Sequence, residues 1–252
     1  MSNKLYHKQI SNYWWNKIKV LFPQNKGKGR PILNPKIVLN AILWILKSGA
    51  RWRDLPPHFG NWNSIYHTFR RWAKLGIFEK ILQIVNKNNQ TSKLIEMDST
   101  YCKVHQSACS KLNNQEIGVS RGGKTTKIHA LVNENFQLLN VMLTGGNVND
   151  SECAVALLKP VHIAGKKILA DRAYSSSFIR TFIEQQKATV CIPDKSNFKV
   201  KHDFDKDLYK QRNIIERFFQ RIKNYRHIAF RFDKLAVCFL NFVLLAASVI
   251  HF

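Results

Sequence analysis

Three carboxylates stand where they could share one chemical task. Asp98 follows an apolar run in LIEMDST, and Asp171 follows another in KILADRAY. Glu216 lies in DLYKQRNIIERFFQRIKNYR, a stretch with six Lys and Arg residues. An acid there would repel a phosphate backbone unless a cation lay between them. Because Asp and Glu oxygens are the ligands that Mg²⁺ prefers, we predict that Asp98, Asp171 and Glu216 bind divalent ions together.

Such a site would suit phosphodiester chemistry. Two divalent ions held about 3.5–4 Å apart stabilise both the attacking and the leaving oxygen of an in-line displacement. At about 100° per residue, one stripe of a helix would carry Glu216 beside basic and polar side chains, namely Tyr209, Arg212, Gln220 and Lys223. Arg212 and Lys223 would then clamp the flanking phosphates. The alternative is a surface ion pair between Arg212 and Glu216, worth a few tenths of a kcal/mol.

The elements that must position the aspartates form an α/β pattern. Five runs predict strands: LIEMDSTYCKV, TTKIHALVN, QLLNVMLTG, KKILADRAY and ATVCIP. Helices are predicted over 150–159, 176–187, 207–226 and 235–251, so the fold class is a mixed α/β layer structure. Sites in open α/β sheets form beyond the carboxyl ends of the strands, so neighbouring strands would bring Asp98 and Asp171 to one crevice. Glu96 shares a strand face with Asp98 and is a competing ligand.

The charge of the chain points to a polyanionic partner. Its 252 residues carry a formal net charge of +24, and 45% of them are of apolar type, as in a folded protein. Residues 1–78 have the greatest excess of positive charge, with 14 Lys and Arg residues and a single acid, Asp54. We predict that PQNKGKGRP, residues 23–31, is a flexible basic loop that contacts phosphates. The alternative is a basic surface without a specific role.

The first part of the chain has a helical pattern. Asn34 and Pro35 predict the start of a helix that ends at Gly49. NWNSIYHTFRRWAKLG predicts another, with Gly76 as its terminator and an apolar stripe of Trp62, Ile65, Phe69, Trp72 and Leu75. Short turns and a basic outer face favour a helix-turn-helix module over an ordinary three-helix bundle. The polar NKNNQTS, residues 86–92, is the predicted linker between a helical DNA-binding domain at 1–88 and a catalytic domain at 93–252.

The cysteine spacing and the hydropathy of the last segment indicate in which cellular compartment the protein is expected. The five cysteines are widely spaced, which favours reduced thiols in the cytoplasm over a disulfide framework. A zinc site at Cys102, His105 and Cys109 would lack the matching second group of ligands that structural zinc sites have. The run LAVCFLNFVLLAASVIHF reaches the lower limit for a membrane span, but its Asn241 and Ser248 favour a buried terminal helix. We therefore expect no membrane partner.

Several motifs together resemble a known family. Tyr209-x-x-Arg212-x-x-x-Glu216-x6-Lys223 resembles the Y(2)R(3)E(6)K signature of DDE transposases of bacterial insertion sequences. The segments DST, GGKTTKIHALV, LTGGNVNDS, ADRAYSS and RNIIERFFQRIKNYRHIAFRFDK look like the IS-five family, as does GARWRDLPPHFGNWNSIYHTFRRW near the start. The likeness covers nearly the whole chain.

The resemblance implies a ribonuclease-H-like catalytic domain with a two-metal Mg²⁺ site, in which Mn²⁺ can substitute, at Asp98, Asp171 and Glu216. It implies cleavage at terminal inverted repeats, strand transfer into target DNA and a homo-oligomer that pairs two DNA ends. A bacterial, nucleoid-associated location would follow. The candidate phosphate-binding residues are Arg212, Lys223, Tyr209, Lys127, Arg172, Arg70, Arg71 and Lys74.

Two alternatives stay open: a hydrolytic DNA nuclease with the same site, and a decayed copy that only binds DNA. One departure from the family pattern is the acid in CIPDKSNF. Asp194 stands there where a more basic loop is expected, which leaves the path of the DNA at that loop open.

Overall fold

The structure is a computed structural model that describes residues 9–23, 32–86, 92–109, 114–195, 198, 202–210 and 212–252. The predicted basic loop at 23–31 and linker at 86–92 lie almost entirely outside the described residues. The helices are α1 Asn12–Ile18, α2 Pro35–Ser48, α3 Trp62–Lys74, α4 Ile77–Asn86, α5 Asp150–Leu158, α6 Ser177–Gln185, α7 Lys206–Tyr209, α8 Ile214–Lys223, α9 Arg226–Ala229 and α10 Ala236–Val249. The strands are β1 Leu94–Val104, β2 Gly118–Ser120, β3 Gly123–Asn133, β4 Leu138–Gly145, β5 Lys167–Ala170, β6 Thr189–Cys191 and β7 Phe230–Arg231.

The chain forms two compact units. A helical unit comprises Met1–Lys87 and Ile222–Phe252, and a sheet unit comprises Asn88–Arg221. The last helix thus belongs with the N-terminal helices. The predicted ranges 1–88 and 93–252 remain a prediction about which segments fold on their own, because compactness alone does not test independent folding.

Local signals set the helix ends in the helical unit. Asn34 accepts a hydrogen bond from the Lys36 N–H at 3.0 Å, and α2 ends at Gly49, whose φ is +65°. Asn61 caps α3 in the same way through the Asn63 N–H. These boundaries confirm the sequence prediction, whereas α1 and α4 were not predicted.

The core of the helical unit is built around aromatic side chains of α3 and α10. Ile65, Phe69 and Trp72 are buried, and the ring of Phe69 lies 4.6 Å from that of Phe242. Leu75 is 51% exposed, so its place in the predicted apolar stripe was wrong. It follows α3 as the helix unwinds toward Gly76, beyond the last turn of the packed face.

The α10 helix is a 14-residue core helix. Asn241 and Ser248 are buried, and each donates a side-chain hydrogen bond to the carbonyl four residues earlier in the helix. Across the described parts of the chain, no helix is both long and apolar enough to cross a membrane.

The connections between these helices differ from the short turns that were predicted. Only Leu75 and Gly76 separate α3 from α4, but α2 and α3 are separated by residues 49–61, which include 3-10 turns at Trp52–Asp54 and Pro57–Phe59. A helix-turn-helix module uses a turn of about 3–4 residues before its recognition helix. The α3 helix is therefore reached through a longer connection than the motif requires.

The sheet unit is a mixed sheet. Its strand order is β2-β3-β1-β5-β6, with β4 on β3 as well. The β1, β2, β3 and β4 pairings are antiparallel, and β5 and β6 run parallel to β1. This confirms the predicted fold class to the extent of a mixed α/β sheet with flanking helices, preceded by a helical region.

The two faces of β1 pack against different groups of apolar residues. Ile95 and Met97 point to a core that also contains Ile168 and Ala170 of β5 and apolar residues of α5 and α6. Leu94, on the other face, packs with Leu169, Cys191, Leu208, Tyr209 and Ile214. Side chains two residues apart share a strand face, so Glu96 and Asp98 point to the side where α8 begins.

Candidate active site

Asp98 and Asp171 lie next to each other where β1 and β5 separate. In the parallel register, Leu94 lies opposite Lys167 and Met97 lies opposite Ala170. The next residue in each segment is the aspartate, Asp98 after Met97 and Asp171 after Ala170. Neighbouring strands are about 4.8 Å apart, so both carboxylates leave the same edge of the sheet. Asp98 does not end its strand, since β1 continues beside β3. The neighbouring strands that the sequence prediction required are present.

Burial dominates the environment of Asp98. Its side chain is 21% exposed; Oδ1 accepts the Ser99 N–H at 2.7 Å, and Oδ2 lies 3.7 Å from Arg212 Nη1. Burial raises the pKa of Asp98 to about 6, and the Asp171 carboxylate adds to the rise, while the Ser99 N–H and Arg212 oppose it. Asp98 therefore lacks enough donors to offset its loss of hydration.

Glu216 is joined to Asp98 through Arg212. Arg212 Nη2 donates to Glu216 Oε1 at 3.2 Å, so the ion pair considered as the alternative role is present. The same guanidinium approaches Asp98 through Nη1, as described above. Glu216 is 52% exposed and lies in the first turn of α8. One cation thus contacts two carboxylates that are 118 residues apart in the sequence.

The predicted helix over 207–226 is wrong in one respect: it is three helices, α7, α8 and α9. The start of α8 is set by a residue from β1. Glu96 Oε2 accepts the Ile215 N–H at 2.8 Å, which fills the place of a capping side chain at the second residue of the helix. Glu216 is the next residue. The single helix was predicted because this contact spans 119 positions.

Glu96 acts here as a buried cap. It is fully buried, and its other oxygen, Oε1, has no hydrogen-bond partner among the described residues. Burial raises the pKa of Glu96 to about 7, while the Ile215 N–H and Arg212 oppose the rise. The sequence prediction of a competing metal ligand placed Glu96 on the correct face, but one of its oxygens is bound to the helix.

A third aspartate, Asp150, borders the site and was predicted only as a helix start. Asp150 Oδ1 accepts hydrogen bonds from Ser99 Oγ at 2.8 Å and from Lys127 Nζ at 2.9 Å. Lys127 is buried, donates also to the Val148 carbonyl and lies over the Tyr101 ring. Lys127 was a candidate phosphate-binding residue; its described contacts are with Asp150 and the backbone, because its strand position faces inward.

Tyr174 is a buried residue near the acids. Burial raises the pKa of its hydroxyl, with Asp150, Asp98 and Asp171 all adding to the rise. The phenol is therefore close enough to these three carboxylates to feel their charge. Sequence reasoning missed Tyr174, although its position three residues after Asp171 in ADRAYSS was a signal.

The other candidate phosphate-binding residues occupy varied positions. Arg172 is exposed directly after Asp171. Tyr209 packs against Phe204 and lies 5.8 Å from the Arg212 guanidinium, so it orients that side chain. Lys223 is the last residue of α8. In the helical unit, Arg71 and Lys74 are exposed on α3, and Arg70 lies over the Tyr66 ring.

The departure at Asp194 has a structural explanation. Its side chain is 4% exposed and pairs with Arg180 at 2.7 Å. It also accepts hydrogen bonds from Ser175 and from the His202 N–H. Although burial opposes the shift, these donors hold the pKa of Asp194 below its usual range. Asp194 is a buried structural carboxylate that pairs with Arg180.

The donor set fits a hard divalent cation, although the acids do not yet converge on one. Within the described ranges, no three His, Cys, Asp or Glu side chains are close enough to hold a metal ion. Arg212 contacts Asp98 and Glu216, and its buried Nη1 finds no hydrogen-bond partner there. The guanidinium therefore supplies positive charge to both acids but donates a hydrogen bond only to Glu216. Oxygen ligands alone, in a desolvated crevice, are what Mg²⁺ and Mn²⁺ bind.

Comparison with known proteins identifies the family. Residues 10–82 match a family model described as "Putative transposase of IS4/5 family", and residues 89–250 match one described as "Transposase DDE domain". The second match covers more than half of the chain, so the chain belongs to the DDE transposase family. This confirms the resemblance seen in the sequence. The family makes the chain a transposase, an enzyme that cuts and transfers nucleic acid, and its domains use divalent metal ions.

Two relatives are similar to parts of the chain. The chain is 37% identical over 127 residues to "Putative transposase for insertion sequence element IS6501" of Brucella ovis. The aligned region covers 50% of this chain and 97% of that protein. It is 34% identical over 95 residues to a Sinorhizobium fredii protein, y4sN, with 37% of this chain and 75% of that protein covered.

Solved structures of low similarity include two transposase complexes. The piggyBac transposase synaptic complex with hairpin DNA matches with 15% identity and a TM-score of 0.40, over 74% of this chain and 48% of that chain. The Mos1 transposase paired-end complex matches with 9% identity and a TM-score of 0.28, over 90% and 87% of the two chains. This chain thus spans about half the length of the piggyBac chain.

Proposed function

We propose that this transposase cleaves DNA at the terminal inverted repeats of its insertion sequence and joins the freed 3′-OH to target DNA, with Mg²⁺ as the cofactor. One observation carries the proposal. Asp98 and Asp171 leave the sheet side by side, and Arg212 links Asp98 to Glu216 across 118 positions of sequence. Two of the three acids thus already share one cation, and carboxylate oxygens are the ligands that a divalent ion takes.

The three acids would hold the ions. When bound, two divalent ions stabilise the charge on the attacking and leaving oxygens of the phosphodiester. Asp98 contributes a carboxylate that burial has left short of donors, so a cation is its strongest available partner. Glu96 fixes the start of α8 and thereby places Glu216, one residue after the capped N–H, above the strand that carries Asp98.

Arg212 would change partners during the reaction. With no divalent ion in the site, its guanidinium neutralises Asp98 and Glu216. With the two acids holding divalent ions, Arg212 would be available to donate two parallel hydrogen bonds to a phosphate beside the scissile bond. Tyr209 keeps the guanidinium at this position by stacking beneath it.

The remaining basic residues would bind DNA outside the site. Arg172 and Lys223 are candidates for phosphate contacts, and Arg70, Arg71 and Lys74 of α3 for contacts with the element ends. The net charge of +24 supports a double-stranded DNA partner. We further propose a homo-oligomer when two ends are paired, acting in the cytoplasm on nucleoid DNA.

Strand joining on a labelled duplex tests the proposal. Purified protein, the end sequence of its own element and a target duplex are incubated with Mg²⁺ or with EDTA. Joined products longer than the substrate, formed only with Mg²⁺, are expected. Shorter products alone would identify a hydrolytic nuclease, and end binding without any cleavage would identify a DNA-binding protein.

Variants assign the chemistry to the acids. Asp171→Asn and Glu216→Gln should abolish joining. Glu184→Gln, which removes an exposed acid from α6, is the matched control and should join normally. Normal joining by Glu216→Gln would overturn the role given to Glu216.

A further inference from the structure

The α8 helix, which carries Glu216, also carries a pair of arginines that the proposed chemistry does not use. Arg217 and Arg221 are exposed and one helical turn apart. Both lie over the same aromatic ring: the guanidinium carbons of Arg217 and Arg221 are 5.3 and 4.2 Å from the centre of the Phe136 ring. We call these two residues the arginine pair.

The arginine pair concentrates positive charge without an acid. The two distances to the ring limit the separation of the guanidinium carbons to 9.5 Å, the sum of 5.3 and 4.2 Å. Like charges one turn apart destabilise a helix. Among the residues that the structure describes, no carboxylate forms an ion pair with either, and Arg217 donates only to the Asn213 side chain. Arg212, by contrast, faces two acids.

The ring beneath the arginine pair is held in a rigid turn. Phe136 has a φ of +60°, a left-handed conformation that is uncommon for a bulky residue. Asn133 stabilises the turn, because its side-chain oxygen accepts the N–H groups of Asn135 and Gln137 and its carbonyl accepts the Phe136 N–H, each at 3.0 Å. The β3–β4 turn therefore presents the ring at a fixed place.

We propose that Arg217, Arg221 and Phe136 form a preorganised clamp for a backbone phosphate of the element's end DNA. The inference rests on the proposed function and extends its DNA-binding surface. Guanidinium groups bind phosphate through paired hydrogen bonds, and stacking on an aromatic ring fixes their planes in advance. A phosphate between the two arginines also relieves their repulsion. Arg221 follows Glu216 by five residues, about 7.5 Å along the helix axis, so the phosphate held lies near the scissile bond.

Salt dependence of DNA binding tests the clamp. The full-length protein is titrated with end DNA in EDTA, which prevents cleavage, at several salt concentrations. The logarithm of the binding constant falls with the logarithm of salt by about 0.9 for each phosphate contact. Because both arginines hold the same phosphate, the double variant Arg217→Gln, Arg221→Gln should reduce that slope by about 0.9, and neither single variant should reduce it by more.

A matched control removes two charges elsewhere in the same unit. Lys159 and Lys187 are exposed and precede β5 and β6, at the opposite edge of the sheet from Asp171. The double variant Lys159→Gln, Lys187→Gln should keep the slope of the native protein. An unchanged slope in the double arginine variant, or an equal loss in the lysine control, would overturn the clamp.

Phe136→Leu separates preorganisation from charge. It keeps every positive charge and removes the stacking ring, so it should weaken binding several-fold at one salt concentration while the slope stays native. Undiminished affinity would remove Phe136 from the clamp. Strand joining by the native protein is measured in parallel: failure to join counts against the proposed function, whereas native salt slopes in the arginine variants count against the clamp alone.

Discussion

The two ends of the β1–β5 pairing hold carboxylates in opposite ways. At the amino end, Glu134 receives hydrogen bonds from Ser92 Oγ and from the N–H groups of Lys93 and Leu94. Burial acts against the shift, yet these donors bring the pKa of Glu134 below its ordinary value. At the other end, burial raises the pKa of Asp98 to about 6, since its donors are too few.

The difference separates a structural acid from a functional one. Glu134 has as many donors as it needs, so its contribution is to fasten β1 to the β3–β4 turn. Asp98 is kept in a crevice with Asp171 nearby and only an imperfect contact to Arg212. A partly exposed acid that is short of donors in a crevice with a second acid is a candidate for binding a cation. The predictions below change one end at a time.

The largest expected effect is on catalysis. Asp98→Asn should lower strand joining by about 10³-fold or more, since it removes a charged ligand from the site where charge develops. Glu134→Gln should join normally. The measurement is the initial rate of joining on end DNA at matched protein concentration, and comparable losses in both variants would erase the distinction between the two ends.

Cation-dependent stability comes next. At a Mg²⁺ concentration of a hundred times the dissociation constant, the free energy of unfolding of the native protein should rise by about 2.7 kcal/mol. Glu134→Gln should gain as much and Asp98→Asn much less. Urea denaturation in Mg²⁺ and in EDTA at equal ionic strength measures this, and an equal gain in Asp98→Asn would contradict the assignment.

Glu96 should have an intermediate effect, through α8. Glu96→Met removes the cap of the Ile215 N–H, so backbone amides near the start of α8 should exchange faster with solvent, and joining should fall by about 10- to 100-fold, as for other outer-shell residues. Glu96→Gln keeps an acceptor oxygen, so it should retain most of the native protection from exchange and most of the native joining rate. If Glu96→Met exchanges at the native rate, Glu96 does not position Glu216.

The smallest effect is on stability at the amino end. Glu134→Gln should lower the free energy of unfolding by about 1 kcal/mol at pH 7. Because the folded pKa of Glu134 is lowered, its contribution is present above the unfolded pKa of about 4.3 and is lost as the pH falls through the folded pKa. The gap between native and variant proteins should thus close in acid; a constant gap would show that charge is not its cause.

The sequence predicted the elements whose signals are local. Apolar runs predicted five strands, β1, β3, β4, β5 and β6, and Asn34 with Pro35 predicted the start of α2 through short-range capping. Contacts between distant residues were out of reach. The break before α8 depends on Glu96, the burial of Lys127 depends on Asp150, and the packing of α10 with the N-terminal helices leaves no mark in a helix that is apolar on all sides.

The central claim is that Asp98, Asp171 and Glu216 bind the same divalent ions. Anomalous diffraction from crystals of the protein soaked with Mn²⁺ tests it most directly. The account predicts manganese peaks within about 2.2 Å of oxygens from all three side chains, with Arg212 withdrawn from Asp98 and Glu216. Crystals whose manganese avoids these carboxylates, with the Arg212 contacts intact, would contradict it.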